Sequence, residues 1–368
     1  MRPRILLFST AYLPHIGGSE LAIYHIARFL PDYDIDLVTG RLDSSDATME
    51  YINRVRVFRA GGRWSRLSLL VPKFLMPIAM AITAYRLTKK YRYSVLHAYQ
   101  ASQAAVAAAI VNAFCPSIPL IITLQEGKIL KQQPWLTQTI RAFILRRARM
   151  ITAISNYLAD YAGSVSRAPV VVIPNGVDVG AMYHPEIVRD AHRIVTVSRL
   201  VEKNNVEGIL RAMVHVRERF PLAKLLIAGD GPMKASLMGL SSDLGIAGSV
   251  EFRGFVAHKN LGEILSSASI FARPSLSEGL GSAFLEAMAA HTAIVASSVG
   301  GIPDIVEDGV TGLLCDPRNP HDIARAIMTL LEQEQTRTEI VERADAFVKK
   351  YDWSSIAWRM SKLYASIA

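Results

Sequence analysis

The chain has 368 residues, 51% apolar and 20% charged, which excludes a disordered chain and allows two domains with separate cores. The formal charge of +9 is uneven: residues 1–178 hold 21 Lys and Arg against 10 Asp and Glu, while the remaining 190 hold 20 against 22. A basic half beside a near-neutral one points to an anionic partner, and two distant cysteines (Cys115, Cys315) with nine scattered histidines argue against a disulfide framework or a zinc site.

Taken in chain order, RILLFST (4–10) predicts a first buried strand. The short apolar run lacks the long core and small-residue cleavage site of a signal peptide, so no leader is expected. A turn with Gly17 and Gly18 follows, then a helix at 19–30 with apolar residues at helical spacing. Strands are predicted at 35–40 and 55–60. The apolar stretch 67–87 is interrupted by Pro72, Lys73 and Pro77, too soon for a span of about 20 residues, so it predicts a buried or surface-docking helix. Strands at 94–99, 119–125, 149–155 and 169–174 complete a first α/β half. A turn-rich hinge is expected within 175–193, where PNGVD and HPE occur.

The pattern then restarts. Strands are predicted at 192–200, 224–231, 249–256, 269–275 and 293–301. Helices are predicted at 206–219, 260–267, 282–290, 320–334 and 354–367. The expectation is therefore two doubly wound parallel-sheet domains, 1–180 and 181–350, with a C-terminal helical segment at 351–368.

Ligands of open parallel sheets bind beyond the C-terminal ends of the strands. Three stretches of the second half fall there. SRLVEKNN places Arg199 and Lys203 just past a strand, where two cations suit a diphosphate, although solvated Lys and Arg are common. AGDGP brings Gly229 and Gly231 into a tight turn that either admits a ligand or simply joins strand to helix. SEGLGSAFLEA places Glu278 before an elbow of Gly279, Leu280 and Gly281, ahead of a helix starting near Ser282. Free N–H groups at such a helix start favour an anion. On an idealised helix Glu286 would lie about 80° around from Glu278, so both carboxylates could serve one cleft. The alternative is that they only complement the helix dipole.

Together these motifs resemble the retaining glycosyltransferases of family 4. So do Pro14, Gly17, Gly18 and Glu20 in P-x-x-G-G-x-E, PNGVD at 174–178, GGIPDIVEDGVTGLL at 300–314 and YDWSSIAWRMSKLY at 351–364. The resemblance spans nearly the whole chain and implies the GT-B fold: two Rossmann-like domains facing across a cleft, with the last helix crossing back to the first domain. It implies that Arg199 and Lys203 neutralise a departing diphosphate and that Glu286 holds a ribose. Glu278 and the backbone of Gly279, Leu280, Gly281 and Ser282 would contact sugar and phosphates. Gly17 and Gly18 would let the first loop approach the phosphates, and the backbone near Phe255 and Val256 would sit by the base. The implied reaction is metal-independent and cofactor-free transfer of a hexose (mannose or glucose type), with retention, from a UDP- or GDP-linked donor. The acceptor would be a glycan or a lipid-diphosphate-linked sugar, in cell-surface polysaccharide or glycolipid synthesis, with no nucleic-acid partner.

One departure stands out. Where the family has a histidine contacting the donor sugar, this chain has Gln125 followed by Glu126. Gln still donates and accepts hydrogen bonds, so activity is expected. A non-catalytic nucleotide- or glycan-binding homologue, or a sugar-nucleotide epimerase, is the competing reading. His97 is expected to be structural. DYDID at 32–36 resembles an Asp-x-Asp metal motif but lies in a helix-to-strand turn, and no metal is expected there. The first loop, AYLPHIGG, lacks the G-x-G-x-x-G of dinucleotide-binding enzymes. A cytoplasmic protein is expected, peripheral at most on the inner face of a membrane. Arg141, Arg146, Arg147 and Arg149, with Arg63, Arg66 and Lys73, are the candidate contacts to anionic lipid.

Overall fold

The computed structural model describes residues 2–15, 17–43, 45–61, 75–127 and 133–367. The chain divides into two units, Met1–Asn175 with Trp353–Ala368, and Gly176–Asp352.

Unit one begins with β1 (Arg4–Ser9), α1 (Gly18–Arg28), β2 (Asp34–Gly40), β3 (Met49–Ile52), β4 (Val55–Ala60) and α2 (Met76–Lys90). It continues with β5 (Val95–Tyr99), α3 (Gln103–Phe114), β6 (Leu120–Leu124), α4 (Trp135–Arg147), β7 (Met150–Ala153), α5 (Asn156–Val165) and β8 (Val170–Val172). The strands form one sheet in the order β3-β4-β2-β1-β5-β6-β7-β8. β1, β5 and β6 are apolar runs buried on both faces, the mark of central parallel strands covered by helices. β3 is antiparallel to β4, a strand absent from the sequence expectation. Its residues are exposed or half-buried, as befits a sheet edge, so it carries little hydrophobic signal.

Unit two contains α6 (Val179–Met182), β9 (Asp190–Val197), α7 (Val206–Arg219), β10 (Lys224–Ala228), α8 (Lys234–Asp243), β11 (Val250–Gly254) and α9 (Leu261–Ser266). It ends with β12 (Ala268–Arg273), α10 (Ser282–Ala289), β13 (Ala293–Ser297), β14 (Leu313–Cys315), α11 (Pro320–Glu332) and α12 (Glu334–Val348). Its sheet order is β11-β10-β9-β12-β13-β14, all parallel. Asn205 and Asn319 cap α7 and α11 through their side-chain oxygens. The expectation of a single helix at 320–334 before the last one needs correcting. The helix breaks at Gln333, and α12 follows. α12 buries only Ile340, Ala344 and Val348, one residue per turn, so its apolar stripe is too narrow to stand out in the sequence.

α13 (Trp353–Ile367) belongs to unit one. Its Trp353, Ile356, Met360 and Tyr364 share a buried cluster with Ile23 and Ile26 of α1, and Trp353 stacks on His25 at 4.9 Å between ring centroids. No helix of the described residues is long and apolar enough to cross a membrane. Part of the 67–87 stretch lies in α2, while 67–74, with Lys73, and also Arg63 and Arg66 lie outside the described residues.

Candidate active site

Both sheets reverse winding direction once, and at such a switch point two adjacent strands send their loops apart and leave a crevice. In unit two the reversal falls between β9 and β12. The loop after β9 carries Arg199 and Lys203; the loop after β12 carries Glu278. They meet: Leu276 N–H donates to the Lys203 carbonyl at 2.7 Å, and Lys203 Nζ lies 3.7 Å from Glu278 Oε2. Arg199 is exposed, and among the described residues no carboxylate lies within ion-pair distance of it. Ser198 and Ser275, at the ends of the same two strands, bury hydroxyls without a partner among the described residues.

Glu278 is buried and held on several sides. It pairs with the Arg273 guanidinium and accepts the Gly279 N–H at 2.9 Å, while its backbone carbonyl accepts from Gly301 N–H at 3.1 Å. Gly300, at φ 56°, passes so close that a Cβ there would sit 1.9 Å from that carbonyl oxygen. Glu278 precedes α10, which starts at Ser282 after Gly281 (φ 89°) with no side-chain cap, so the idealised 80° relation does not describe the pair. Glu286 lies within α10, where its carboxylate meets His258 Nε2 at 3.0 Å. That hydrogen bond, with Asp178 nearby, raises the pKa of His258 above the ordinary histidine value.

Gly229 and Gly231 have a structural reason to be glycine. A Cβ at Gly229 would lie 1.8 Å from the Ser198 carbonyl oxygen, and one at Gly231 2.4 Å from that of Leu200. The turn therefore seats the backbone of the loop that bears Arg199. Gly229 N–H donates to Gly254 O at 2.8 Å, and beyond Gly254 the Phe255 ring stands 78% exposed, followed by half-buried Val256.

Unit one switches between β1 and β5. Gly17 caps α1 with extended backbone, and a Cβ there would meet Glu20 Oε2 at 2.5 Å, because buried Glu20 folds back to accept Ser19 Oγ at 2.8 Å. Gly18 opens the helix. Gln100, held at φ 70° after β5, donates to Ser19 Oγ at 3.1 Å. At the end of β6, Gln125 Nε2 donates to Asn175 Oδ1 at 3.1 Å, and its buried Oε1 has no partner among the described residues. Glu126 accepts the N–H groups of Ala101 and Gln125 at 2.7 and 2.9 Å, and burial raises its pKa. His97 is fully buried between Tyr364 Oη at 2.7 Å and Thr123 Oγ1 at 2.6 Å, and burial lowers its pKa to about 3. It is a structural residue, as expected. Two of the three acids of DYDID are engaged elsewhere: Asp34 pairs with Arg4, and Asp36 with Arg56 and Tyr93, while Asp32 is exposed.

The structure thus gathers Arg199, Lys203, Glu278 and Gly279 at one crevice of unit two, with Leu280, Gly281 and Ser282 leading into α10. Gln125, Gly17 and Gly18 gather at the strand ends of unit one. Sequence reasoning missed Arg273, His258 and Gln100, and it gave Gly300 and Asn175 no role beyond their place in the 300–314 and 174–178 motifs. An arginine inside the otherwise apolar SIFARPS strand was the available signal for the first.

The fold defines a two-domain α/β protein of GT-B architecture. The chain belongs to glycosyltransferase family 4: the family described as Glycosyltransferase Family 4 matches residues 16–181, and that described as Glycosyl transferases group 1 matches residues 184–347. An uncharacterized glycosyltransferase of Methanocaldococcus jannaschii is 34% identical over 231 residues, 58% of this chain and 59% of that protein. The GDP-mannose-dependent alpha-(1-6)-phosphatidylinositol monomannoside mannosyltransferase of Mycobacterium tuberculosis is 30% identical over 258 residues, 64% of this chain and 65% of its own length. The solved structure of HepE from Anabaena, in complex with UDP and glucose, matches with a TM-score of 0.79 at 22% identity, over 99% of this chain and 100% of that one.

Proposed function

We propose that this chain is a retaining, metal-independent hexosyltransferase that uses a UDP- or GDP-linked sugar and an acceptor glycan carried on a lipid. The observation that carries the reading is the crevice at β9 and β12. There an exposed Arg199, without a carboxylate partner among the described residues, stands on the same loop as Lys203, whose ammonium reaches Glu278. The uncapped start of α10 adds N–H donors and a positive dipole end.

In this reading the two cations and the helix start stabilise charge as it develops on the departing diphosphate. The bond from the anomeric carbon to the diphosphate oxygen breaks. The acceptor oxygen bonds to the same face, and its proton passes to the leaving phosphate oxygen, so no side-chain base is needed. Glu286, oriented by His258, takes the ribose hydroxyls, and Glu278 takes the sugar. The backbone that passes through Gly229, Gly231, Phe255 and Val256 lines the donor. Gly17 and Gly18 bring the first loop to the phosphates. Gln125 supplies a free acceptor, Oε1, to a sugar hydroxyl in place of the family's histidine. The relative in M. tuberculosis is named for a GDP-mannose donor and a phosphatidylinositol mannoside acceptor, and the HepE complex holds UDP and glucose. These support a nucleotide-sugar donor and a lipid-borne acceptor; in this reading the two meet at the inner face of a membrane.

The test is sugar transfer from a panel of UDP- and GDP-sugars in EDTA, with the anomeric configuration of the product read by NMR. Transfer with retention, undiminished by EDTA, is expected. Nucleotide binding without turnover from any donor would overturn the reading in favour of a non-catalytic homologue.

A further inference from the structure

We propose that the exposed face of α4 docks this protein onto an anionic lipid bilayer. The inference rests on the lipid-borne acceptor proposed above, and the geometry of the helix carries it further. At 100° per residue, Trp135, Leu136, Ile140 and Phe143 fall within a sector of about 140°, and Arg146 and Arg147 fall in the same sector at the C-terminal end. All six are exposed, Trp135 at 76% and Phe143 at 61%. The opposite face buries Ile144 and Leu145 against the unit. It also buries Arg141, which donates to Gln133 Oε1 at 2.8 Å. Arg141 is thereby withdrawn from the expected lipid contacts, because the helix turns it inward. Arg146, Arg147 and Arg149 remain exposed.

Four large apolar side chains on one exposed helix face are unusual on a soluble surface. The charge around them selects the occupant. Described residues 133–159 contain four arginines, of which Arg146, Arg147 and Arg149 are exposed, and no Asp or Glu. A second copy of the chain, docked through the same patch by two-fold symmetry, would bring arginines against arginines with no acid to offset them. An anionic bilayer complements both features: the rings and aliphatic chains enter the headgroup boundary while the arginines meet lipid phosphates. The position suits the reaction as well. α4 is the helix that follows β6 and Gln125 in the chain, and its buried Arg141 acts electrostatically on Glu126, the neighbour of Gln125.

The test is co-sedimentation of the full chain with phosphatidylcholine vesicles, with and without about 30% phosphatidylglycerol. Binding at least tenfold tighter to the anionic vesicles is expected, falling at least tenfold in Trp135→Ser/Phe143→Ser and weakening at high salt. Arg146→Gln/Arg147→Gln leaves the apolar face intact and should lose the lipid preference, so the result does not hang on the folding of one variant. Equal binding to both vesicle types, or binding unchanged in both variants, would overturn the proposal. So would a concentration-dependent dimer that the Trp135 variant abolishes. Nucleotide-induced thermal stabilisation, measured without vesicles, reads the proposed reaction separately. Its absence beside intact vesicle binding would sink the transferase reading and leave the docking surface standing.

Discussion

The two switch points are built on the same strand-helix grammar and come out chemically opposite. In unit two the crevice is cationic and its backbone is tightly wedged: Gly229, Gly231 and Gly300 each exist to let one loop pass within contact of another. In unit one the crevice is polar but not cationic. Its acids, Glu20 and Glu126, are absorbed by hydroxyls and backbone N–H groups, and its remaining polar chemistry is carried by half-buried amides such as Gln125 and Gln100. The fold supplies the location of a site, and the loops decide whether it receives a charged or a hydroxylated group.

The comparison breaks most sharply at the cations. Arg199→Ala or Lys203→Ala should each lower kcat/KM by two orders of magnitude or more, about 3 kcal/mol of transition-state stabilisation, in steady-state transfer assays. Substitutions at Gln125 should cost far less, and an equal loss there would erase the distinction between the crevices. The wedge comes next. Gly300→Ala meets both a positive φ and the Glu278 carbonyl, so about 2–3 kcal/mol of stability should disappear in urea unfolding of unit two, together with activity.

A third prediction sharpens the contrast in unit one, where a neutral histidine is locked in the core. The folded pKa of His97, about 3, lies below its unfolded value of about 6.5, so the unfolded chain binds the extra proton. The stabilisation is complete above pH 6.5 and is lost as the pH falls toward 3, by about 2 kcal/mol at pH 5. His97→Gln should be less stable at pH 7 yet flatten that slope in denaturant titrations. If the slope persists in the variant, other groups control the acid sensitivity. The smallest effect belongs to His258. Its folded pKa is raised by Glu286, so the pairing is present at low pH and lost as the pH rises through that value. His258→Ala should raise the donor KM about fivefold with little change in kcat, and should remove that pH dependence. A fall in kcat instead would place His258 nearer the chemistry.

Much of this was legible in the sequence because it is local. Apolar runs long enough to be central strands, helix-spaced apolar faces, and Gly or Asn at the required turns placed most elements. The order of Arg199, Lys203, Glu278 and Glu286 along the chain pointed to the second unit. What the sequence by itself determined was therefore the alternation of strand and helix, the presence of two cores, and the residue types available at strand ends. Only tertiary structure decided the rest, because it depends on which strands become neighbours. Glu278 meets Lys203, 75 residues away in the sequence, because β12 packs beside β9, whereas its partner Arg273 ends β12 itself. Arg141 and Arg146 look alike in a string of arginines, and only the rotation of α4 on the sheet buries one and exposes the other. Edge strand β3 and helix α12 escaped notice for a related reason: each buries too little apolar surface to mark itself, and packing against neighbours, rather than local preference, holds it in place.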